Sequence, residues 1–166
     1  MTRSLGRALT PDLVDRFSQR DLVRRLGAGL PFVTVDPEGR PHPMLLSYLE
    51  IRAYDARTVG LVMGAGTRSA RNLVERGAGT LVVIEPDVTV YLKLRIVDGP
   101  LPVMDAGELG LGYFLLEVDE VLEDSAAEWE GGMRITSGVR YAPAAALDEP
   151  WARATLAALA EPRARA

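Results

Sequence analysis

The residues best placed to do chemistry lie together. Gly64-Ala65-Gly66-Thr67-Arg68 separates a run that reads as a strand, Thr58 to Met63, from one that reads as a short helix, Ser69 to Arg76. A helix start exposes backbone N–H groups with no intrahelical acceptor and carries a partial positive charge, so it can hold an anion such as a phosphate. Glycines let the backbone come close to that anion, while Thr67, Arg68 and Ser69 add two hydroxyls and a guanidinium. Charge-assisted bonds of this kind contribute roughly 1.5–3 kcal/mol each, and three of them would anchor a mononucleotide. The same residues also read as a tight turn with Thr67 as N-cap, and the third glycine of the dinucleotide fingerprint is missing.

Composition removes several other chemistries. The chain has 166 residues, 48% of them hydrophobic and 25% charged, which fits one soluble globular domain. There is no cysteine and one histidine, His42, which excludes disulfides, thiol catalysis and zinc clusters. No apolar run approaches a membrane span, and the first residues lead into a charged amphipathic stretch, so the expectation is a cytoplasmic protein with no membrane partner. No basic stripe interleaved with aromatics appears, so no nucleic-acid partner is expected. The net charge of −4 is unevenly spread: six Arg face three Asp before Gly29, whereas Met104 to Glu130 holds nine acidic residues and no basic one. That acidic stretch lacks calcium-loop spacing and reads as a solvated strand face and loop.

The elements that must position the glycine-led corner follow from periodicity. Thr10-Pro11-Asp12 opens a helix over about 10–26, with Leu13, Val14, Phe17, Leu22 and Leu26 at helical spacing. Leu30 to Val35 and Arg40 to Tyr48 form a hairpin around Asp36-Pro37-Glu38-Gly39. Thr80 to Ile84 is a doubly covered strand, and Val88 to Ile96 alternates, with Tyr91, Lys93 and Arg95 on its polar face. Lys93 is the only lysine. Asp98-Gly99-Pro100 ends that strand. The next runs from Tyr113 to Leu122, where Val121 falls on the wrong parity and marks a β-bulge near Asp119-Glu120. Met133 to Thr136 is a further short strand, and about 150–161 a terminal helix. Hairpin-linked strands with helices at the start, middle and end give a mainly β, α+β single domain over residues 1–166, a small antiparallel barrel rather than a doubly wound sheet.

Pro31 to Pro43, Gly66 to Leu73 and Val90 to Leu94 together resemble the pyridoxamine 5′-phosphate oxidase-like proteins of the FMN-binding split-barrel type, over about residues 8–136. The resemblance implies a six-stranded antiparallel split barrel working as a homodimer, with a flavin at each of two subunit-interface sites and a small-molecule substrate. It places Thr67, Arg68 and Ser69 on the flavin phosphate and Asn72 in the same pocket. It further implies that Leu45, Leu46, Ser47, Val62 and Met63 present backbone groups to the isoalloxazine edge, with Lys93 a contribution from the second subunit. The chain departs from members acting on pyridoxamine phosphate. Ser69 stands where they carry a lysine, and their C-terminal Trp and Arg motif has no counterpart. The expectation is a flavoprotein oxidoreductase of unassigned substrate, with FMN as cofactor. F420 is the alternative cofactor, and a split-barrel binding or regulatory protein without flavin is the alternative class. Arg71, one turn beyond Arg68, is placed to replace the missing cation.

Overall fold

In the computed structural model, which describes residues 2–86, 88–126 and 128–165, nine strands form one antiparallel sheet. They are β1 (Thr2–Gly6), β2 (Ala28–Val35), β3 (Pro41–Ser47), β4 (Ile51–Ala53), β5 (Thr58–Gly64), β6 (Ala78–Glu85), β7 (Val88–Pro102), β8 (Leu111–Asp124) and β9 (Val139–Arg140). The helices are α1 (Pro11–Arg16), α2 (Leu22–Arg25), α3 (Arg68–Arg76) and α4 (Pro150–Ala158). The main strand path is β3-β2-β6-β7-β8-β5-β4, with β1 added to β8 and β9 to β2.

The path explains why nine strands appear where six were expected. β3 and β4 occupy its two ends, yet only the 3-10 turn Tyr48–Glu50 separates them in sequence. They are two arms of one bent strand that closes the barrel, so the six expected barrel strands are all present. The extra two are β1 and β9. Phe32, Leu46, Leu61, Leu73, Leu81, Leu92, Phe114, Leu116 and Val118 fill the interior, each fully buried. A second apolar cluster joins Val62, Tyr113 and Leu115, on the outer face of β5 and β8, to Ala154, Ala158 and Leu159 of the C-terminal segment.

The hairpin forms as the turn residues dictate. Gly39, at φ +80°, donates its N–H to the Asp36 carbonyl (3.0 Å), and the Asp36 carboxylate accepts the Arg40 N–H (2.8 Å). The Asp36 N–H to Arg40 carbonyl bond sets the phase of the ladder. Stepping by two, Thr34–His42, Phe32–Met44 and Leu30–Leu46 exchange backbone bonds, while Pro41, Pro43, Leu45 and Ser47 turn their backbone groups to the outer edge. The bulge expected near Asp119 is present: Lys93 pairs with Glu120 and Leu94 with Val118, leaving Asp119 unpaired and returning Val121 to the core.

Three expectations are corrected. The helix over 10–26 is two short helices, because Gln19 takes a left-handed backbone (φ +64°) and its side chain caps the carbonyls of Leu49 and Ile51 at 3.1 and 3.2 Å. The strand expected to stop at Asp98 continues as β7 to Pro102, since β8 keeps pairing with it after two register shifts. The short strand falls at Val139–Arg140 rather than Met133–Thr136; Gly138 lies so close to the Ile84 carbonyl that no side chain would fit there. The acidic stretch is the solvated strand face and loop expected, and it carries exposed ion pairs. β1 lies against β8, Arg3 pairs with Glu123 (2.6 Å) and Arg7 with Asp119 (2.7 Å), while Arg57 and Arg95 meet Glu117. Part of the uneven charge of the sequence is thus the pairing of its N-terminal arginines with the carboxylates of β8.

Candidate anion-binding corner

β5 delivers the chain to Gly64, and the Thr67 N–H closes a turn onto the Gly64 carbonyl (3.1 Å). Thr67 is the N-cap of α3: its hydroxyl accepts the Ala70 N–H at 3.1 Å, and its backbone is extended. At the far end Gly77, left-handed at φ +74°, returns its N–H to Leu73 (2.9 Å). The helix is thus fully capped by its own residues except for the first amides. Gly66 and Arg68 are exposed, and neither N–H has an acceptor among the described residues.

The charges at this end run against the helix dipole. The first turn of α3 has no acidic residue, and Arg68 and Arg71 stand where carboxylates are favoured. Arg68 has no hydrogen-bond or ion-pair partner among the described residues. The Arg71 guanidinium donates to the Gly66 carbonyl at 2.8 Å, which holds a second cation at the corner. A bound anion would resolve both the unpaired amides and the two misplaced cations.

Gly66 supplies the space. Its φ is ordinary, and a Cβ built there would meet no atom within 4 Å, so the missing side chain clears the outside of the corner rather than relieving strain. Beside it a groove of about 320 Å³ runs between α3 and the hairpin turn, lined by Asp36, Glu38, Arg40, Arg68, Arg71, Asn72 and Glu75. Asn72 is 2% exposed, and its amide donates to the Thr34 hydroxyl (3.1 Å), which donates in turn to the His42 carbonyl (3.3 Å). Asp36 is tied to Arg40, whose backbone N–H holds the Asp36 carboxyl below the usual carboxylate range.

The remaining sequence-derived residues divide sharply. Arg68 and Asn72 share the groove, whereas Ser69 is 1% exposed and offers no hydroxyl to an outside ligand. Val62 and Met63 are also 1% exposed: Met63 faces the barrel core and Val62 lies under the C-terminal segment. On β3, Leu46 is wholly buried with its backbone in the ladder, and the Ser47 N–H is taken by the Glu50 carboxylate (2.7 Å). Leu45 alone of that trio combines an outward backbone N–H with exposure. Lys93 pairs with Thr80 and hence shares a row with Val33, on the sheet face opposite the buried Thr34–Asn72 contact. Within one chain it does not reach the corner; it lines a separate groove with Arg76, Arg95 and Val35.

Sequence reasoning passed over Glu50. Its carboxylate accepts both the N–H and the hydroxyl of Ser47 (2.7 and 2.9 Å), and burial pushes its pKa up. The signal was available as Ser47-Tyr48-Leu49-Glu50, the spacing of a capping box.

No protein-family model matches the sequence, and no curated protein sequence matches it either. Solved structures do. A candidate pyridoxamine 5′-phosphate oxidase of Lactobacillus delbrueckii superimposes with a TM-score of 0.54 at 15% identity, over 72% of this chain and 98% of its own. An FMN-binding protein of Syntrophomonas wolfei gives 0.50 at 12% identity, over 70% and 92%. An F420 reductase gives 0.46 at 15% identity, over 63% and 94%, a likeness too loose to bear on cofactor choice. The bent closing strand, the antiparallel path and these superpositions agree: the fold of this chain is the split barrel of the flavin-binding, pyridoxamine 5′-phosphate oxidase-like proteins.

Proposed function

We propose that this chain is a flavin-dependent oxidoreductase that binds FMN through its phosphate at the Gly64–Arg68 corner, works as a homodimer and acts on a small molecule. The observation that carries the reading is the start of α3, where open amides, an unpartnered Arg68 and a tethered Arg71 converge beside a glycine whose missing side chain leaves room. The phosphate of FMN carries about −1.5 to −2 charges near neutral pH, which two guanidiniums match.

When bound, FMN supplies the hydride chemistry. The chain's own part is binding and orientation. Arg68, Arg71, the Thr67 hydroxyl and the amides of Gly66 and Arg68 would hold the phosphate. Asn72, locked onto Thr34, fixes the wall of the groove, and Leu45 offers a backbone donor at the β3 edge. Lys93, on the opposite sheet face, would enter a flavin site only from a second copy, as the homodimer provides.

The test is a titration of purified protein with FMN, and separately with F420, followed by visible absorbance and with chain mass measured in solution. Saturable FMN binding by a dimer is expected. Absence of a saturable spectral change with both cofactors overturns the flavin reading and leaves a split barrel that binds or regulates by other means.

A further inference from the structure

We propose that residues 148–165, α4 and the tail after it, form a displaceable strap over an apolar, tyrosine-lined face beside the corner. The planar ring of the bound nucleotide takes that face when the strap lifts. The inference rests on the flavin reading and goes beyond it by assigning a gate to this chain.

The covered face leads straight into the corner. Val62 pairs with Tyr113, Met63 with Gly112 and Gly64 with Leu111, and the Gly110 carbonyl accepts the Ala65 N–H at 2.7 Å. Val62, Tyr113 and Leu115 form its apolar floor, and the Tyr54 and Tyr113 hydroxyls meet at 3.2 Å at its margin. Aromatic and aliphatic side chains with two polar tips are what a flat heterocycle would pack against. α4 closes this floor together with Val103 and Ala106 at its other margin, Val62 being 1% exposed and Tyr113 fully buried.

The strap is built to come away. A helix of 9 residues does not hold its shape alone, and α4 has neither a side-chain bond from its N-cap, Glu149, nor an acidic residue in its first turn. The Thr155 hydroxyl is fully buried with no partner in the docked position and regains water when α4 lifts. Among the described residues, the stretch from β8 to α4 carries only the 3-10 turn Glu128–Glu130 and the two-residue β9, so release leaves the barrel sheet intact. Ala152, Ala154, Ala158 and Leu159 seat the strap on the apolar clusters, and polar bonds fasten its margin. The Arg52 guanidinium donates to the Leu159 carbonyl (3.3 Å), the Arg163 N–H to the Tyr113 hydroxyl (3.1 Å), and Arg165 binds Asp98 and the Pro100 carbonyl (3.2 Å).

Two full-length variants push the strap in opposite directions. Ala158→Glu forces a charge into the covered cluster and lifts it; Thr155→Val removes the orphaned hydroxyl and seats it. The readouts are trypsin cleavage after Arg153 and the FMN dissociation constant from quenching of flavin fluorescence. Ala158→Glu is expected to speed cleavage about tenfold and tighten FMN about threefold, and Thr155→Val to move both the other way by about threefold. Saturating FMN is expected to speed cleavage of the parent chain. Cleavage rates that shift without any change in FMN affinity, rates that do not shift in both variants, or FMN that protects Arg153 each overturn the strap while leaving FMN binding intact. Failure of the parent and both variants to bind FMN overturns the flavin reading itself.

Discussion

Arg16 and Arg68 stand in opposite circumstances. Arg16 is nearly buried at the foot of the barrel, bonded to the Glu85 carboxylate, which also receives Arg25 (3.7 Å) and the Tyr48 hydroxyl (3.3 Å). Phe17 and the Arg25 guanidinium pack on the Tyr48 ring at 5.3 Å each, and the buried phenol is pushed up to about 12. Arg68 lies exposed at the wrong end of a helix with no counter-ion among the described residues. A buried cation must be paired for the fold to exist, so Arg16 reads as structure. A surface cation placed against the helix dipole costs stability, roughly 0.3–1 kcal/mol, and its place calls for a ligand.

The sharpest way to break this contrast is to treat both sites alike. Glu85→Ala removes the carboxylate that Arg16, Arg25 and the Tyr48 hydroxyl share and should destabilise the fold by about 3–5 kcal/mol in denaturant unfolding. A loss under about 1 kcal/mol would mean that the junction is dispensable. Arg68→Ala should weaken FMN at least about tenfold, since one charge-assisted bond exceeds about 1.4 kcal/mol, while raising stability slightly, by roughly 0.3 kcal/mol, as the cation leaves the helix start. An unaltered dissociation constant places the phosphate elsewhere. Arg68→Glu should abolish binding yet raise stability by roughly 0.5 kcal/mol, a sign that a structural role for Arg68 does not produce.

Thr67→Ala removes the cap of α3 and should cost about 1 kcal/mol of stability with a matching loss of FMN affinity. Gly66→Ala separates the two effects. With an ordinary φ and open space around the added methyl, it should stabilise by roughly 0.4–1 kcal/mol, yet crowd the phosphate and raise the dissociation constant. Affinity that survives it shows that nothing approaches Gly66. The smallest effects concern pH. Asp36, held low chiefly by the Arg40 N–H, contributes stability that is present above its unfolded value near 3.8 and lost as pH falls through the folded value. Glu50, raised by burial, acts in the opposite sense: its contribution is complete below the unfolded value near 4.5 and lost as pH rises through the folded value. Melting temperatures between pH 3 and 6 should therefore change slope in opposite directions in Asp36→Asn and Glu50→Gln.

The hairpin and the alternation of Val88 to Ile96 were legible because turn chemistry and a period of two are local. The bulge at Asp119 was legible for the same reason: one residue out of phase is visible without knowing its partner. β1 was not, since Thr2 to Gly6 has no apolar alternation and pairs through charges that complement β8. The break between α1 and α2 was hidden because Leu13 and Phe17, on one side of it, and Leu22, on the other, all reach the core at spacings a continuous helix also satisfies. At the corner, the cap role of Thr67 and the helix start at Arg68 were legible because both are local. The burial of Ser69 and Val62 was not legible, because it depends on what α3 and α4 pack against.

The outer edge of β3 also decides how copies of this protein can meet. A bare strand edge is a template on which further chains add by main-chain pairing, the route to fibrils. Here the rim offers carbonyls but scarcely any donors: Pro41 and Pro43 have no N–H, and Glu50 has claimed that of Ser47. Strand addition on this rim is disfavoured, and fibril growth from it should be slow even in concentrated protein.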